Sequence, residues 1–207
     1  GQYDRFILNE FSNVRVKAID VKSEYLEDSR RYFEQAIRAN RIDFQQEDLL
    51  KVSYPQKFDF AICIDVLEHI GDDRKVMENM YDALKEGGYF FMHSPSIYSE
   101  EDADGDDSFV DEHARVGYAK EDISEKLRSA GFQITDVAYT YGSKGHLAWE
   151  LLIKYPMLWL TKIRLWALPL MAVYYLFTLP VGLILMALDL RDNNERGTGV
   201  YALARKV

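Results

Sequence analysis

Phe58-Asp59-Phe60-Ala61-Ile62-Cys63-Ile64-Asp65-Val66-Leu67-Glu68-His69-Ile70 is the stretch from which the fold is read. Phe60 to Ile64 is a short, nearly continuous apolar run with β-branched residues towards its end. That pattern predicts a strand buried on both faces of a parallel sheet. The run stops abruptly at Asp65, and Glu68 and His69 follow before the next polar turn. Ligands of open α/β sheets sit beyond the carboxyl ends of the strands. Asp65 to Ile70 is therefore expected to line such a crevice.

Outward from this stretch, strands and helices alternate. Tyr3, Phe6, Ile7, Glu10 and Phe11 have the spacing of an amphipathic helix, and Val14 to Ile19 is a strand candidate ending at Asp20. Ser23 is a suitable N-cap for a helix with Leu26, Tyr32, Phe33 and Ile37 on its apolar side. Asn40 is a left-handed stop, and Ile42 to Gln46 is a short strand running into Glu47-Asp48. After the central run, Asp72 and Asp73 can cap a helix with Val76, Met80 and Leu84 inward. Gly87-Gly88 is expected to end that helix before a strand from Tyr89 to His93. A helix over Glu121 to Ala130, closed by Gly131, precedes strands at Phe132 to Tyr141 and Gly199 to Arg205. The alternation predicts an α/β fold with a mostly parallel, doubly wound sheet.

At 207 residues the chain is one domain, or one with an insertion. Hydrophobic residues make up 48% and charged residues 29%, as in ordinary globular proteins. The formal net charge of −9 argues against nucleic acid as a partner, since that footprint is basic. The single cysteine, Cys63, permits no disulfide within the chain and reads as a small core hydrophobe, which suits a reducing cytosol. No leader-like run opens the sequence.

Three acidic residues end three successive strands: Asp20, Asp48 and Asp65. A carboxylate at Asp20 can accept hydrogen bonds from both vicinal hydroxyls of a ribose. Asp48 can accept from an exocyclic adenine amine, with the N–H of Leu49 completing the base edge. Asp65 suits a cationic or amino-bearing part of a ligand. The plain alternative is that acidic residues favour loop starts and helix N-termini. Repetition at the same structural position weakens it.

These residues, in this order, resemble the class I S-adenosylmethionine-dependent methyltransferases, especially the branch acting on quinones, lipids and other small molecules. Phe58 to Ile70 is similar to that branch's fourth-strand motif, and Glu86-Gly87-Gly88-Tyr89-Phe90-Phe91 to its glycine pair and fifth strand. His113-Ala114-Arg115, Gly117-Tyr118 and Ala130-Gly131-Phe132 resemble the stretch before its sixth strand. The similarity covers roughly Gly1 to Tyr141 plus the last strand. It implies a Rossmann-like sheet with an antiparallel last strand and S-adenosylmethionine as cofactor. It also implies cofactor binding by Gly1, Asp20, Val21, Asp48, Leu49, Asp65, Val66 and His69. The family's first strand and glycine-rich loop should precede Gly1, which fits as that loop's final glycine. Residues N-terminal to Gly1 are therefore expected in the working protein.

The resemblance further implies transfer of the cofactor's methyl group by in-line displacement, with the protein aligning the acceptor and excluding water. Where the acceptor must lose a proton, His113 is the first candidate base and His69 the second. His69 also reads as packing beside the cofactor, and Tyr118 either as a residue that closes the pocket or, as is usual for a tyrosine after a glycine, as a structural one. No metal is expected. Glu100 to Asp111 has a calcium-loop look, but its first and twelfth positions and its flanks depart from that motif. A solvated lid is the better reading.

The organisation expected is a cofactor-binding core over 1–146, a hydrophobic helical insertion over 147–192 between the last two strands, and the final core strand over 193–207. Glu150, Lys154, Thr161 and Arg164 fall along one narrow helical stripe of the insertion, and Pro156 divides that stretch or starts its second helix. Leu165 to Leu188 contains no charged residue, long enough for a membrane span. Pro169 and Pro180 interrupt it, however, and a single crossing would leave the last strand on the wrong side of a bilayer. Three readings stay open: an amphipathic hairpin in the membrane interface with Lys154, Lys162 and Arg164 near headgroups, an apolar vault over the acceptor, or a homodimer contact.

The function expected is methyl transfer to a lipophilic small molecule, isoprenoid, quinone-like or lipid-linked, in the cytoplasm or peripherally on the inner membrane face. The alternatives are a non-catalytic cofactor-binding or membrane scaffold and, third, a nucleotide-dependent dehydrogenase.

Overall fold

The computed structural model describes residues 1–99, 114–163 and 167–207. Two compact units divide it, Gly1–Ser53 and Tyr54–Val207.

In the first unit, helix α1 (Gln2–Glu10) leads to β1 (Val16–Asp20), helices α2 (Ser23–Tyr32) and α3 (Glu34–Arg38), and β2 (Ile42–Gln46). β1 and β2 pair in parallel from Val16↔Ile42 to Asp20↔Gln46. Leu8, Leu26, Phe33, Ile42 and Phe44 form the core, with Val16 and Ala18 packed on it. Tyr32 and Ile37 are exposed, contrary to the single apolar face expected for this stretch, because the helix breaks at Phe33. Lys22, not Ser23, is the N-cap. Asn40 takes the left-handed conformation at φ 55°, as its position at a helix end requires. Next to it, the Arg41 guanidinium donates to the carbonyls of Leu8 and Phe11, fastening the end of α1 to the start of β2.

The second unit contains β3 (Phe58–Ile64), α4 (Asp73–Ala83), β4 (Leu84–Pro95), α5 (Lys120–Ser129), β5 (Phe132–Thr140), α6 (Ser143–Trp149), α7 (Tyr155–Ile163), α8 (Ala167–Asp189) and β6 (Gly199–Lys206). The sheet order is β3-β4-β6-β5, with β3 and β4 parallel and β6 antiparallel to both its neighbours. Alternation sets its core. Phe90, Met92, Val200, Ala202 and Ala204 are all fully buried on one face, and the small alanines of β6 lie opposite Met92 and Phe90. Helix α4 brings Val76 and Met77 to this core, and α5 brings Ile123 and Leu127.

Two local expectations change. β3 buries Cys63 but leaves Phe60 and Ile62 48% and 41% exposed, so it is covered on one face rather than both. It is an outer strand of its sheet, and a continuous apolar run does not distinguish that from a central position. The pair Gly87-Gly88 does not end α4, which stops at Ala83. It lies in a bulge of β4 between the pairs Phe58↔Leu84 and Phe60↔Tyr89, with Gly87 at φ 77°. A β-carbon on Gly88 would meet the carbonyls of Lys85 and Asp59. Asp72 caps α4 as expected, accepting from the N–H of Lys75.

Between β5 and β6 the chain forms an antiparallel helical hairpin. One leg is α6, a π-helical segment Glu150–Lys154, and α7; the other is α8. Gly145 lies against Asp189, Gly182 against Leu152, and Trp159 against Tyr174, a register that runs in opposite directions along the two legs. The prolines do not interrupt the helices. Pro169 sits in the first turn of α8, where its missing N–H has no intrahelical partner to lose, and α8 runs unbroken through Pro180.

Candidate functional site

Two strand ends carry the candidate residues, one in each unit. In the first unit, Asp20 closes β1 and Asp48 follows the end of β2, so the parallel pairing brings both to the same edge. One Asp20 oxygen accepts from the N–H of Lys22, and the N–H of Glu47 donates to the Asp20 carbonyl. The Gln46 side-chain amide donates to the carbonyl of Val21, whose side chain is 57% exposed. Asp48 accepts from the N–H of Leu50 and lies 3.2 Å from the Lys51 ammonium. These two contacts, the backbone bond first, hold its carboxyl below the ordinary carboxylate range. Leu49 sits half-buried between them. Asp20, Val21, Asp48 and Leu49 are thus gathered at one edge. Gly1 lies against the Phe33 ring, in a groove of about 750 Å³ between α1 and α2 lined by Arg5, Asn9, Asp28 and Tyr32.

In the second unit the chain leaves β3 at Asp65, which has φ 52°, a conformation an aspartate adopts more readily than most residues. Asp65 is tied twice to His93 on β4: its N–H donates to the His93 carbonyl at 3.0 Å, and its carboxylate meets Nδ1 at 2.9 Å. A carboxylate only accepts, so Nδ1 carries the proton. On the neutral ring, Nε2 is then left with its lone pair, and the Thr140 hydroxyl at 3.1 Å donates to it. The ring has only 20% of its surface exposed, and Gly199 packs against it so closely that a β-carbon there would lie 2.8 Å from Nε2.

Sequence reasoning placed His93 only as the end of a strand. The signal lay in register: Ile64 pairs with His93, so the residue after β3 faces this side chain.

Beyond Asp65, Val66 precedes a single 3-10 turn, Leu67–His69. Glu68 is 1% exposed and accepts from the Ser94 hydroxyl at 2.8 Å, whereas the His69 side chain is partly exposed, 3.9 Å from Glu68. The segment entering α5 clasps this turn. The Ala114 N–H donates to the Glu68 carbonyl, and the Arg115 guanidinium donates to the carbonyls of Ile70 and Gly71 and to the Asp73 carboxylate. Lys126 and the Tyr118 hydroxyl also donate to Asp73, at 2.8 and 2.7 Å. Tyr118 is fully buried, so it is a structural member of this network rather than a movable cover, and burial pushes its hydroxyl pKa up. Burial likewise pushes the Cys63 thiol up to about 12, in keeping with a core residue. His113 and the acidic stretch Glu100 to Asp111 lie outside the described residues.

Residues 1–90 match a family model described as a methyltransferase domain. No curated protein matches the chain. Among solved structures, an S-adenosylmethionine-dependent methyltransferase from Mesorhizobium loti is 18% identical, with a TM-score of 0.62, over 100% of this chain and 86% of its own. Phosphoethanolamine N-methyltransferase 2 from Haemonchus contortus, in complex with S-adenosylmethionine, is 18% identical with a TM-score of 0.63 over 98% of this chain. The [4+2]-cyclase SpnF is 19% identical with a TM-score of 0.56 over 93% of this chain. The chain spans 45% of the length of the Haemonchus structure and 66% of the cyclase. Residues 1–90, less than half of the chain, thus carry a methyltransferase-domain match, and the Rossmann-like sheet with its antiparallel last strand has the fold of S-adenosylmethionine-dependent methyltransferases.

Proposed function

We propose that this chain is an S-adenosylmethionine-dependent methyltransferase whose acceptor is a lipophilic small molecule, isoprenoid, quinone-like or lipid-linked, met at a membrane surface. The observation that carries this reading is a juxtaposition. The apolar hairpin is rooted at Thr140–Gly142, the same corner whose Thr140 hydroxyl bonds His93. An apolar acceptor reaching the protein along the hairpin arrives beside an oriented imidazole.

The residues fit the cofactor. Asp20 is an anionic acceptor suited to vicinal hydroxyls, and Asp48, kept ionised by its neighbours, is suited to an exocyclic amine. Val21 and Leu49 offer apolar surface beside them. When bound, S-adenosylmethionine supplies a methyl group already activated by its sulfonium. This chain's own work is to hold the acceptor, exclude water and take a proton. With Nδ1 committed to Asp65, His93 Nε2 is the atom that receives it, and the acceptor hydroxyl or amine replaces Thr140 as its partner. His93 fits the role of base because both ring nitrogens are held, Nδ1 by Asp65 and Nε2 by Thr140.

Calorimetry with S-adenosylhomocysteine and transfer of a labelled methyl group into a lipid extract test the proposal together. Heat of binding and label in the apolar fraction support it; label only in water-soluble products removes the acceptor class. A second reading, cofactor binding without methyl transfer, is favoured by the likeness to the cyclase. Heat without label of any kind would establish it.

A further inference from the structure

We infer that the helical hairpin crosses a lipid bilayer twice, as an upright pair of helices that returns the chain to the side it left. This deepens the membrane contact of the proposed function, and rests on that reading only for the route of the acceptor.

The occupant follows from the distribution of exposed side chains. Within Leu168–Asp189 of helix α8, an 18-residue stretch has a mean hydropathy of 2.0, yet only 6% of it is buried. Its exposed residues are not a stripe. Val173, Leu176, Phe177, Leu179, Val181 and Ile184 are between 45% and 71% exposed. At about 100° per residue they spread around most of the circumference that the other leg leaves uncovered. A helix lying in the plane of an interface needs a polar face to leave in the headgroups. This one has none, so the interfacial reading of the sequence gives way to immersion.

Length and charge agree. Leu168 to Asp189 is about 33 Å of helix, against a hydrocarbon core of about 30 Å. At one end of the hairpin Lys144 pairs with Asp192 at 2.5 Å, and at the other stands exposed Lys162. About 27 Å of helix separates Lys144 from Lys162. Both feet, Gly142 and Asp189, are joined by a hydrogen bond, so β5 and β6 stay on one side. The objection to a single span does not apply to a double one.

Several polar groups inside the hairpin are satisfied internally, the condition a bilayer imposes. Pro156 has no N–H, and the carbonyls it would have served, at Leu152 in α-helical or Leu151 in π-helical register, accept instead from the hydroxyls of Tyr175 and Tyr174 at 2.7 and 2.8 Å. Thr161 and Thr178 donate to carbonyls of their own helices, and Lys154 pairs with Glu150 at 2.9 Å. Gly182 lets the legs close, since a β-carbon there would lie 2.5 Å from the Leu152 side chain.

The test uses the full chain in vesicles of phosphatidylcholine and phosphatidylglycerol. Leu168→Cys, Phe177→Cys and Leu188→Cys are each labelled with an environment-sensitive dye, while buried Cys63 stays unmodified near neutral pH. Lipids carrying a quencher near the headgroup or near the chain end report depth. The expected result is several-fold stronger quenching by the deep probe at Phe177→Cys, with the two ends quenched by the shallow probe. Equal shallow depth at all three positions overturns the inference in favour of an in-plane helix. No quenching overturns it in favour of a protein cover or a second copy. Alkaline carbonate extraction of the unsubstituted protein needs no variant: retention in the vesicles supports the inference, and release overturns it. Heat with S-adenosylhomocysteine, measured on the same sample, separates the two claims. Binding without insertion sinks the hairpin alone, and insertion without binding sinks the proposed enzyme alone.

Discussion

The α/β core and the hairpin of the second unit solve the same problem in opposite directions. In the core, apolar side chains point inward, and buried charge is neutralised by charge: Asp73 holds Arg115, Lys126 and the Tyr118 hydroxyl. In the hairpin the apolar side chains point outward, and the polar backbone left open by Pro156 is closed by tyrosine hydroxyls from the facing leg. The difference teaches what each part expects of its surroundings. Water can solvate the rim of the core, so ions are tolerable there. On the inferred immersion nothing would solvate the middle of the hairpin, and among its described residues hydroxyl-to-carbonyl bonds predominate, with the Glu150–Lys154 pair as a charged exception.

The contrast can be broken most severely at Asp73. Asp73→Ala leaves two cations crowded in a site where the carboxylate side chain is only 6% exposed. A loss of about 3–5 kcal/mol is expected in urea unfolding of the core, because breaking a buried ion cluster strands uncompensated charge. Next comes the strand-end dyad. His93→Gln is expected to lower kcat by roughly 10²-fold or more when the acceptor must be deprotonated, with the KM for the cofactor little changed. Asp65→Asn should show a smaller loss. An unchanged pH profile in the Asp65 variant would mean that the carboxylate does not set the imidazole's proton.

On the hairpin side, Tyr174→Phe and Tyr175→Phe each leave one carbonyl without its donor, at about 1–3 kcal/mol apiece. The loss should appear in detergent or vesicles, where water cannot substitute for the hydroxyl, and shrink if the hairpin is exposed to water. A helix cap gives a finer calibration: Asp72→Ala is expected to destabilise α4 by about 1 kcal/mol, measured by thermal melting. Smallest is the pH response of Asp48. Its folded carboxyl is held below its ordinary range, so its contribution is present above that range and fades as pH falls through the depressed value. Acid titration of Asp48→Asn against the parent would show a slight flattening.

Much of the fold was legible in local pattern. Asn40 and Gly131 stop helices because their positions demand positive φ, at 55° and 102°, and Asp72 announces α4 by its place before an apolar period. Asp20 and Asp48 could be placed at strand ends because strand length and polarity are local properties. What pattern missed were pairings across the sheet. His93 looked like the last residue of a strand, and only the register of β4 against β3 and β5 brings it to Asp65 and Thr140. Arg115 stood in a recognisable motif without a role until the chain's return brought it to Ile70, Gly71 and Asp73.

The sequence by itself determined the alternation of elements, the acidic strand ends and the uncharged length of the insertion, all of which depend on neighbours within a few residues. Only the tertiary structure decided that Pro169 and Pro180 sit inside an unbroken helix, that the insertion doubles back on itself, and that an imidazole is oriented at its foot. Those outcomes rest on contacts between residues far apart along the chain, and such contacts leave no period in the sequence to read.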